Sequence, residues 1–372
     1  MRPETLFVHA GAEADPATGA MSPPIHLATT FKHGPAGERI AGFEYVREGN
    51  PTQERLESAL TALEGGVAAL AFASGMAAMA ALLESLPSGA HVLLPEDCYT
   101  GLRVLATEFL PQRGITVRAV DTSDIDAVRA AIVPETRLLW LETPSNPQLR
   151  ICDIAALSQL AHAHNVVVAC DNTFATPLLQ QPLALGADVA MHSTTKYFGG
   201  HSDVLGGALV FARRDGLFDA VAHRRHITGG VPSPFNVWLT LRGLKSLPAR
   251  MVWHCRNARA VAEFLAAHPR VEAVHWPGLP THPQHAVAAR QMRDFGGMLS
   301  VRIRGGRDAA LAVAGKVKLF TNATSLGGCE SLLEHRASVE GTNPVSPENL
   351  LRLSIGLEHA DDLIADLRQA LS

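Results

Sequence analysis

From Asn50 onward, short uncharged apolar runs alternate with amphipathic stretches, and this alternation limits the chain to very few folds. The runs Val67–Ala73, His91–Leu94, Ile115–Val120, Leu138–Glu142, Val166–Asp171, Asp188–His192 and Ala208–Phe211 have the length and branching of strands buried on both faces. Between them lie helix-like pieces such as Ile154–His164, with Asp153 placed as an N-cap. Strands alternating with helices predict an α/β domain built on a mostly parallel sheet covered on both sides. After Asn236 the pattern changes to a long helical stretch, then scattered strands (Val271–His275 and Met298–Arg304) and a last helix near Asp361–Leu371. The expected organisation is an extended N-terminal arm (residues 1–45), a large domain (46–240) and a smaller α+β C-terminal domain (241–372). At 372 residues, two domains match the usual domain size.

Gly65–Leu83 carries no charge over a length that approaches a membrane span. It is mostly Ala and Gly, and Glu64 and Glu84 flank it where a span favours Lys or Arg. A buried strand, a tight turn and a buried helix are the expected reading, with no membrane partner. The 32 Lys+Arg against 36 Asp+Glu give no basic field for nucleic acid. The five cysteines are scattered without any CxxC spacing, which points to reduced, mostly buried thiols and to a cytoplasmic protein. The N-terminus lacks the basic and apolar regions of a secretory signal. Among the 17 histidines, His223/His226 and His282/His285 share helical faces but lack the further ligands of a metal site, so no metal is expected.

Polar clusters fall where the predicted strands end, the position at which open α/β sheets gather their ligands. Ser74-Gly75-Met76 joins a strand to a helix, where a glycine permits close approach and free amides suit a phosphate. Asp171-Asn172-Thr173 sets an acid directly after a buried strand, either as a cap or facing a ligand such as a pyridinium nitrogen. His192-Ser193-Thr194-Thr195-Lys196-Tyr197 places a lysine within a run of hydroxyls, before Gly199-Gly200. A partly desolvated lysine there is a nucleophile for an aldehyde. Glu142-Thr143-Pro144-Ser145-Asn146-Pro147 is a proline-bracketed loop that either simply turns the chain or fixes Asn146 as a donor. Together these clusters supply an amine, an acid, a phosphate cradle and polar partners.

These motifs, with His9-Ala10-Gly11, Pro23-Pro24-Ile25, Tyr45-Val46-Arg47, Asn50-Pro51-Thr52, Ser325-Leu326-Gly327-Gly328 and Leu351-Arg352-Leu353-Ser354, resemble the Cys/Met-metabolism PLP family over nearly the whole chain. That family includes cystathionine γ-synthase, cystathionine β- and γ-lyases, methionine γ-lyase and homoserine sulfhydrylases. The resemblance implies the type I (aspartate aminotransferase-like) PLP fold and pyridoxal 5'-phosphate (PLP) as cofactor. It implies that Lys196 carries the cofactor as a Schiff base and later moves protons, and that Asp171 pairs with the ring nitrogen. Gly75, Met76, Ser193 and Thr195 are then expected at the phosphate, joined across a dimer interface by Tyr45 and Arg47 of the neighbouring subunit. Tyr99 is expected to stack on the ring and to assist catalysis. Asn146, Ser325 and Arg352 are expected to hold the substrate, with the planar Arg352 fork on its α-carboxylate. The implied assembly is a homotetramer, a dimer of dimers.

Two departures bear on the substrate. Thr324 stands where members acting at the γ-carbon commonly carry Glu before Ser-Leu-Gly, and the Glu340–Pro347 stretch differs from the usual longer loop. The expected activity is cystathionine-type C–S lysis by β- or γ-elimination, with γ-replacement on an O-acylated homoserine close behind. An aminotransferase on the same fold and a non-catalytic PLP-binding relative are the rivals.

Overall fold

A computed structural model of the chain describes residues 1–341 and 344–372. The larger sheet contains β1 (Ala68–Phe72), β2 (His91–Pro95), β3 (Thr116–Val120), β4 (Thr136–Glu142), β5 (Val167–Asp171), β6 (Val189–His192) and β7 (Gly207–Phe211) in the order β1-β7-β6-β5-β4-β2-β3. Only β7 runs against its neighbours. Each expected strand of this domain is present, with every end within two residues of the expected one.

Period-two alternation explains why these runs are apolar throughout. Leu138 and Trp140 of β4 pack on one face with Met79, Leu82 and Leu102. Leu139 and Leu141 pack on the other with Leu157 and Val168. The uncharged Gly65–Leu83 stretch resolves into β1 and the helix Gly75–Leu83, separated by Ser74, whose Oγ accepts from the Ala77 amide at 3.0 Å. No helix among the described residues is long and apolar enough to cross a membrane. Asp153 caps the helix Ile154–His162 by accepting from the Ala156 amide, as expected. The five cysteines are unpaired and four are buried. His282 and His285 bond the backbone carbonyls of Leu149 and Pro277, a structural use of both rings.

The second sheet contains β8 (Val271–His275), β9 (Met298–Ile303), β10 (Thr321–Asn322), β11 (Leu332–His335) and β12 (Leu350–Ser354) in the order β10-β11-β12-β9-β8. It is antiparallel except for the β10–β11 pair. Its core, with Leu299, Val301, Leu333, Leu351 and Leu353, packs on Ala258, Val261 and Leu265 and on Leu363 and Leu367 of the last helix, Ala360–Ala370. β10 and β11 carried no recognised sequence signal, and β12 was visible only as the Leu-Arg-Leu-Ser motif.

The helix Pro234–Ala266 joins the two sheets, and the expected boundary at residues 240/241 falls inside it. It is held against the segment that follows Lys196. Arg250 donates to the Tyr197 and Gly243 carbonyls at 2.8 Å each. Gly243 lies so close that a Cβ there would sit 2.2 Å from the Phe198 carbonyl oxygen and 2.5 Å from that of Gly199. Backbone cannot yield as a side chain can. Gly243→Ala is expected to lower unfolding free energy by about 1–3 kcal/mol, an overpacking cost, measured by denaturant unfolding; an unchanged midpoint would show that this contact does not hold the segment.

Candidate active site

Parallel pairing brings the carboxyl ends of β2, β4, β5 and β6 to one edge of the sheet, where α/β proteins bind ligands. A cavity of about 910 Å³ opens there. Its walls include Gly75, Met76, Tyr99, Asn146, Asp171, Ser193, Thr195, Lys196, Ser325 and Arg352, which are ten of the twelve residues singled out from the sequence. Tyr45 and Arg47 lie elsewhere in the subunit. The Arg47 guanidinium sits 5.0 Å from the Tyr45 ring centroid, and Tyr45 is exposed. Cys98, though next to Tyr99, is buried away from the cavity.

Lys196 reaches into the cavity from the turn after β6, and its Nζ donates to Ser325 Oγ at 2.8 Å. Burial, aided by the nearby Arg352, brings its pKa down to about 8. Ser325 projects from the second domain with φ of 80°, a conformation a non-glycine residue rarely takes and one that often marks functional sites. Asp171 ends β5 directly opposite Glu142 at the end of β4. Burial raises the Asp171 carboxyl, against the opposing pull of the Thr173 hydrogen bond at 2.9 Å. Burial and then Asp171 push Glu142 well above the usual carboxyl range. Glu142 also accepts from the Tyr99 amide at 3.0 Å, tying the start of the helix Thr100–Val104 to the sheet.

Arg352, on β12, is buried in the floor. Its Nη1 donates to Asn146 Oδ1 and its Nη2 to the Ser325 carbonyl, both at 3.0 Å, so the expected substrate-binding residues orient one another. Nη2 also meets Glu334 Oε2 at 2.9 Å. Thr324 lines the cavity at the position of the missing Glu. Of the Glu340–Pro347 stretch, Thr342 and Asn343 lie outside the described residues.

Sequence reasoning assigned no role to Glu142, Thr173, Glu334 or Arg336. Glu142 and Thr173 were inside recognised motifs, and their positions beside Tyr99 and Asp171 follow from strand pairing. Thr173 Oγ1 accepts from the Ser193 amide at 2.9 Å and so links the β5 and β6 ends. Glu334 and Arg336 gave no signal, since only the β11–β12 pairing brings them to Arg352.

The residues fit the cofactor expected from the sequence. A side chain at residue 75 would press on Ser193, its Cβ 3.1 Å from Ser193 Cβ and 3.2 Å from Oγ, so the glycine keeps the cradle open. The first amides of the helix Gly75–Leu83 lack intrahelical partners and suit a phosphate. Asp171 is a buried acid suited to a protonated ring nitrogen, and Lys196 is an amine of reduced basicity.

A family model described as Cys/Met metabolism PLP-dependent enzyme matches residues 4–372. The chain belongs to this family of PLP-dependent enzymes. It is 52% identical to the cystathionine gamma-synthase of Mycobacterium leprae, covering 99% of this chain and 96% of that protein. It is 43% identical to the cystathionine gamma-lyase of Bacillus subtilis, covering 100% and 99%. The crystal structure of MetB from Corynebacterium glutamicum superimposes with a TM-score of 0.97 at 45% identity, over 100% of this chain and 98% of that one. The type I PLP fold and the pyridoxal phosphate cofactor expected from the sequence are thus both found.

The reduced basicity of Lys196 can be read directly. In cofactor-free protein the neutral amine appears as pH rises through about 8, while ordinary lysines stay protonated. Competitive acetylation mapped by peptide mass spectrometry is expected to show Lys196 labelling reach half its maximum near this pH; a profile like those of the other lysines would contradict the desolvated environment.

Proposed function

We propose that this protein is a trans-sulfuration enzyme, making or breaking the bond between sulfur and a side-chain carbon of an amino acid. The observation that carries this reading is the meeting of Lys196, Asp171 and Arg352 in one cavity between the two sheets. Formation of cystathionine from an O-acylated homoserine and cysteine is the first reading. It is supported by the 52% identity to a protein named cystathionine gamma-synthase, against 43% to one named gamma-lyase. This reverses the order expected from the sequence. Lysis of a C–S bond is the second reading, favoured by Thr324 in place of the acid common among γ-acting members.

Gly75, Met76, Ser193 and Thr195 would hold the phosphate of PLP, Asp171 its ring nitrogen, and Lys196 its aldehyde carbon until the substrate's own amine takes that place and leaves Lys196 free. When bound, PLP supplies an electron sink next to the substrate's α-carbon. The remaining work belongs to the chain. The Arg352 fork takes the α-carboxylate, steadied by Asn146 and the Ser325 carbonyl. That grip fixes which α-bond faces Lys196. With a pKa of about 8, Lys196 Nζ is partly neutral near neutral pH, so it accepts the α-proton and returns it elsewhere on the side chain. Ser325 Oγ accepts from Nζ and holds it on that side of the cavity. Tyr99, held by Glu142 at its amide, would cover the ring and could protonate a departing group.

The arm places Tyr45 and Arg47 outside this subunit's own cavity, which supports their contribution to a neighbouring subunit in a homotetramer. We place the protein in the cytoplasm and divide it at residues 1–45, 46–240 and 241–372.

Purified holoenzyme given O-acetyl- or O-succinylhomoserine with cysteine is expected to form cystathionine faster than it releases keto acid and ammonia from cystathionine alone. Lys196→Ala is expected to abolish both reactions and the visible absorption of the lysine-bound cofactor. Full activity in that variant would sink the assignment, and amino-group transfer without ammonia would favour an aminotransferase.

A further inference from the structure

Five charged side chains form one alternating line from the rim of the cavity to its floor. Arg103 meets Glu340 at 3.5 Å, and Glu340 meets Arg336 at 3.6 Å. Arg336 meets Glu334 Oε2 at 2.6 Å, and the same oxygen meets Arg352 at 2.9 Å. Glu340 is firmly an anion. Burial raises its carboxyl, but the Ser346 hydroxyl and amide, the Val345 amide and Arg103 outweigh this and hold it below the usual range.

Three guanidiniums alternate with two carboxylates, so a cation stands at each end. The two ends are not alike. The Arg103 side chain is 21% exposed and has water, whereas that of Arg352 is 5% exposed and faces the cavity. Burial, with Arg336 adding to it, brings the Arg352 pKa down to about 10, against the opposing pull of Glu334. Other nearby acids do not make up the deficit. Asp171 is assigned to the cofactor ring, and Glu142 is engaged by the Tyr99 amide. Buried charges without full compensation are costly, and a ligand of opposite sign relieves the cost.

We propose that Arg336 is a positioning residue for substrate recognition: by sharing Glu334 it leaves Arg352, the cavity end of the line, without a full countercharge, and that deficit selects ligands bearing a carboxylate beside their amine. The inference rests on the reading of Arg352 as the carboxylate clamp. Without Arg336 the line would fall into two self-neutral pairs, Arg352 with Glu334 and Arg103 with Glu340. Arg352 would then be present but already satisfied.

Equilibrium titration of the holoenzyme with glycine and with glycinamide, followed by the cofactor's absorption, tests this. The two probes differ only in the carboxylate. Arg336→Gln is expected to weaken glycine by roughly tenfold or more while glycinamide changes by less than about twofold. Arg336→Lys, which keeps the charge, is expected to recover most of the glycine affinity. Arg336→Gln/Glu340→Gln removes one cation together with one anion, which guards against a folding failure, and is expected to bind glycine as weakly as Arg336→Gln. Unchanged glycine affinity in Arg336→Gln, an equal loss for both probes, or no recovery with Lys would each overturn the proposal. Arg352→Gln separates the two readings. If it too bound glycine with parental affinity, the clamp assignment itself would fail; if it alone lost glycine, the clamp would stand and the role of Arg336 would not.

Discussion

Parallel registration of β4, β5 and β6 is the constraint from which the site follows. Pairing of Glu142 with Asp171 across β4 and β5, and of Asp171 with Met191 across β5 and β6, fixes where each strand releases its chain. Because strand side chains alternate with period two, a shift of one residue would turn Asp171 away from the cavity and Cys170 toward it. Packing locks the register, since Leu139, Leu141, Val168 and Cys170 are all fully buried on the opposite face from Trp140 and Ala169. Placing two acids side by side in a dry wall is expensive unless at least one is neutral or meets a cation. A positively charged ring nitrogen against Asp171 would relieve this cost. Glu142 meanwhile serves locally, by accepting from the Tyr99 amide.

Behind the sheet a second buried network supports the same edge. Glu64, at the end of the helix Pro51–Glu64, accepts from Asn172 Nδ2 at 3.0 Å and pairs with His192. Asn172 and His192 adjoin Asp171 and Ser193, so the side chains facing the cavity alternate with ones anchored on the far side. Together with the grip of Arg250 and Gly243 on residues 197–199, this leaves the Lys196 segment little freedom. Polar groups buried on both sides of a strand end are kept only where each finds a partner.

The large domain was legible in the sequence because its signals are local. Buried parallel strands read as short uncharged runs, and each functional cluster followed its run by a few residues. Seven cavity residues follow from such clusters (Gly75, Met76, Asn146, Asp171, Ser193, Thr195 and Lys196), whereas Tyr99, Ser325 and Arg352, and the roles of all ten, came from the family resemblance. The second domain was less legible because its contribution is not local. Arg352 joins Asn146, 206 positions away, and Arg336 joins Thr100, 236 positions away. Glu334 faces Arg352 only through the β11–β12 register, and two-residue β10 is too short for periodicity to show. Tyr45 and Arg47 lie beyond the reach of any single-subunit reading, since their expected target belongs to another copy.

This division also separates what is fixed in the site from what is free to vary. The sheet edge brings together what the family's cofactor is expected to need for every reaction: an amine, an acid and a strand–helix turn suited to a phosphate. Thr324, Ser325, Arg336 and Arg352 all come from the second domain and line the cavity. Changes there leave the parallel register untouched, since no strand of the large sheet carries them. Substrate choice can therefore drift while cofactor chemistry is retained. Thr324 illustrates the consequence. Thr in place of Glu at residue 324 takes an acid out of the cavity wall while Lys196 and Asp171 are kept. The charge that the second domain gives to the cavity wall is then that of Arg336 and Arg352.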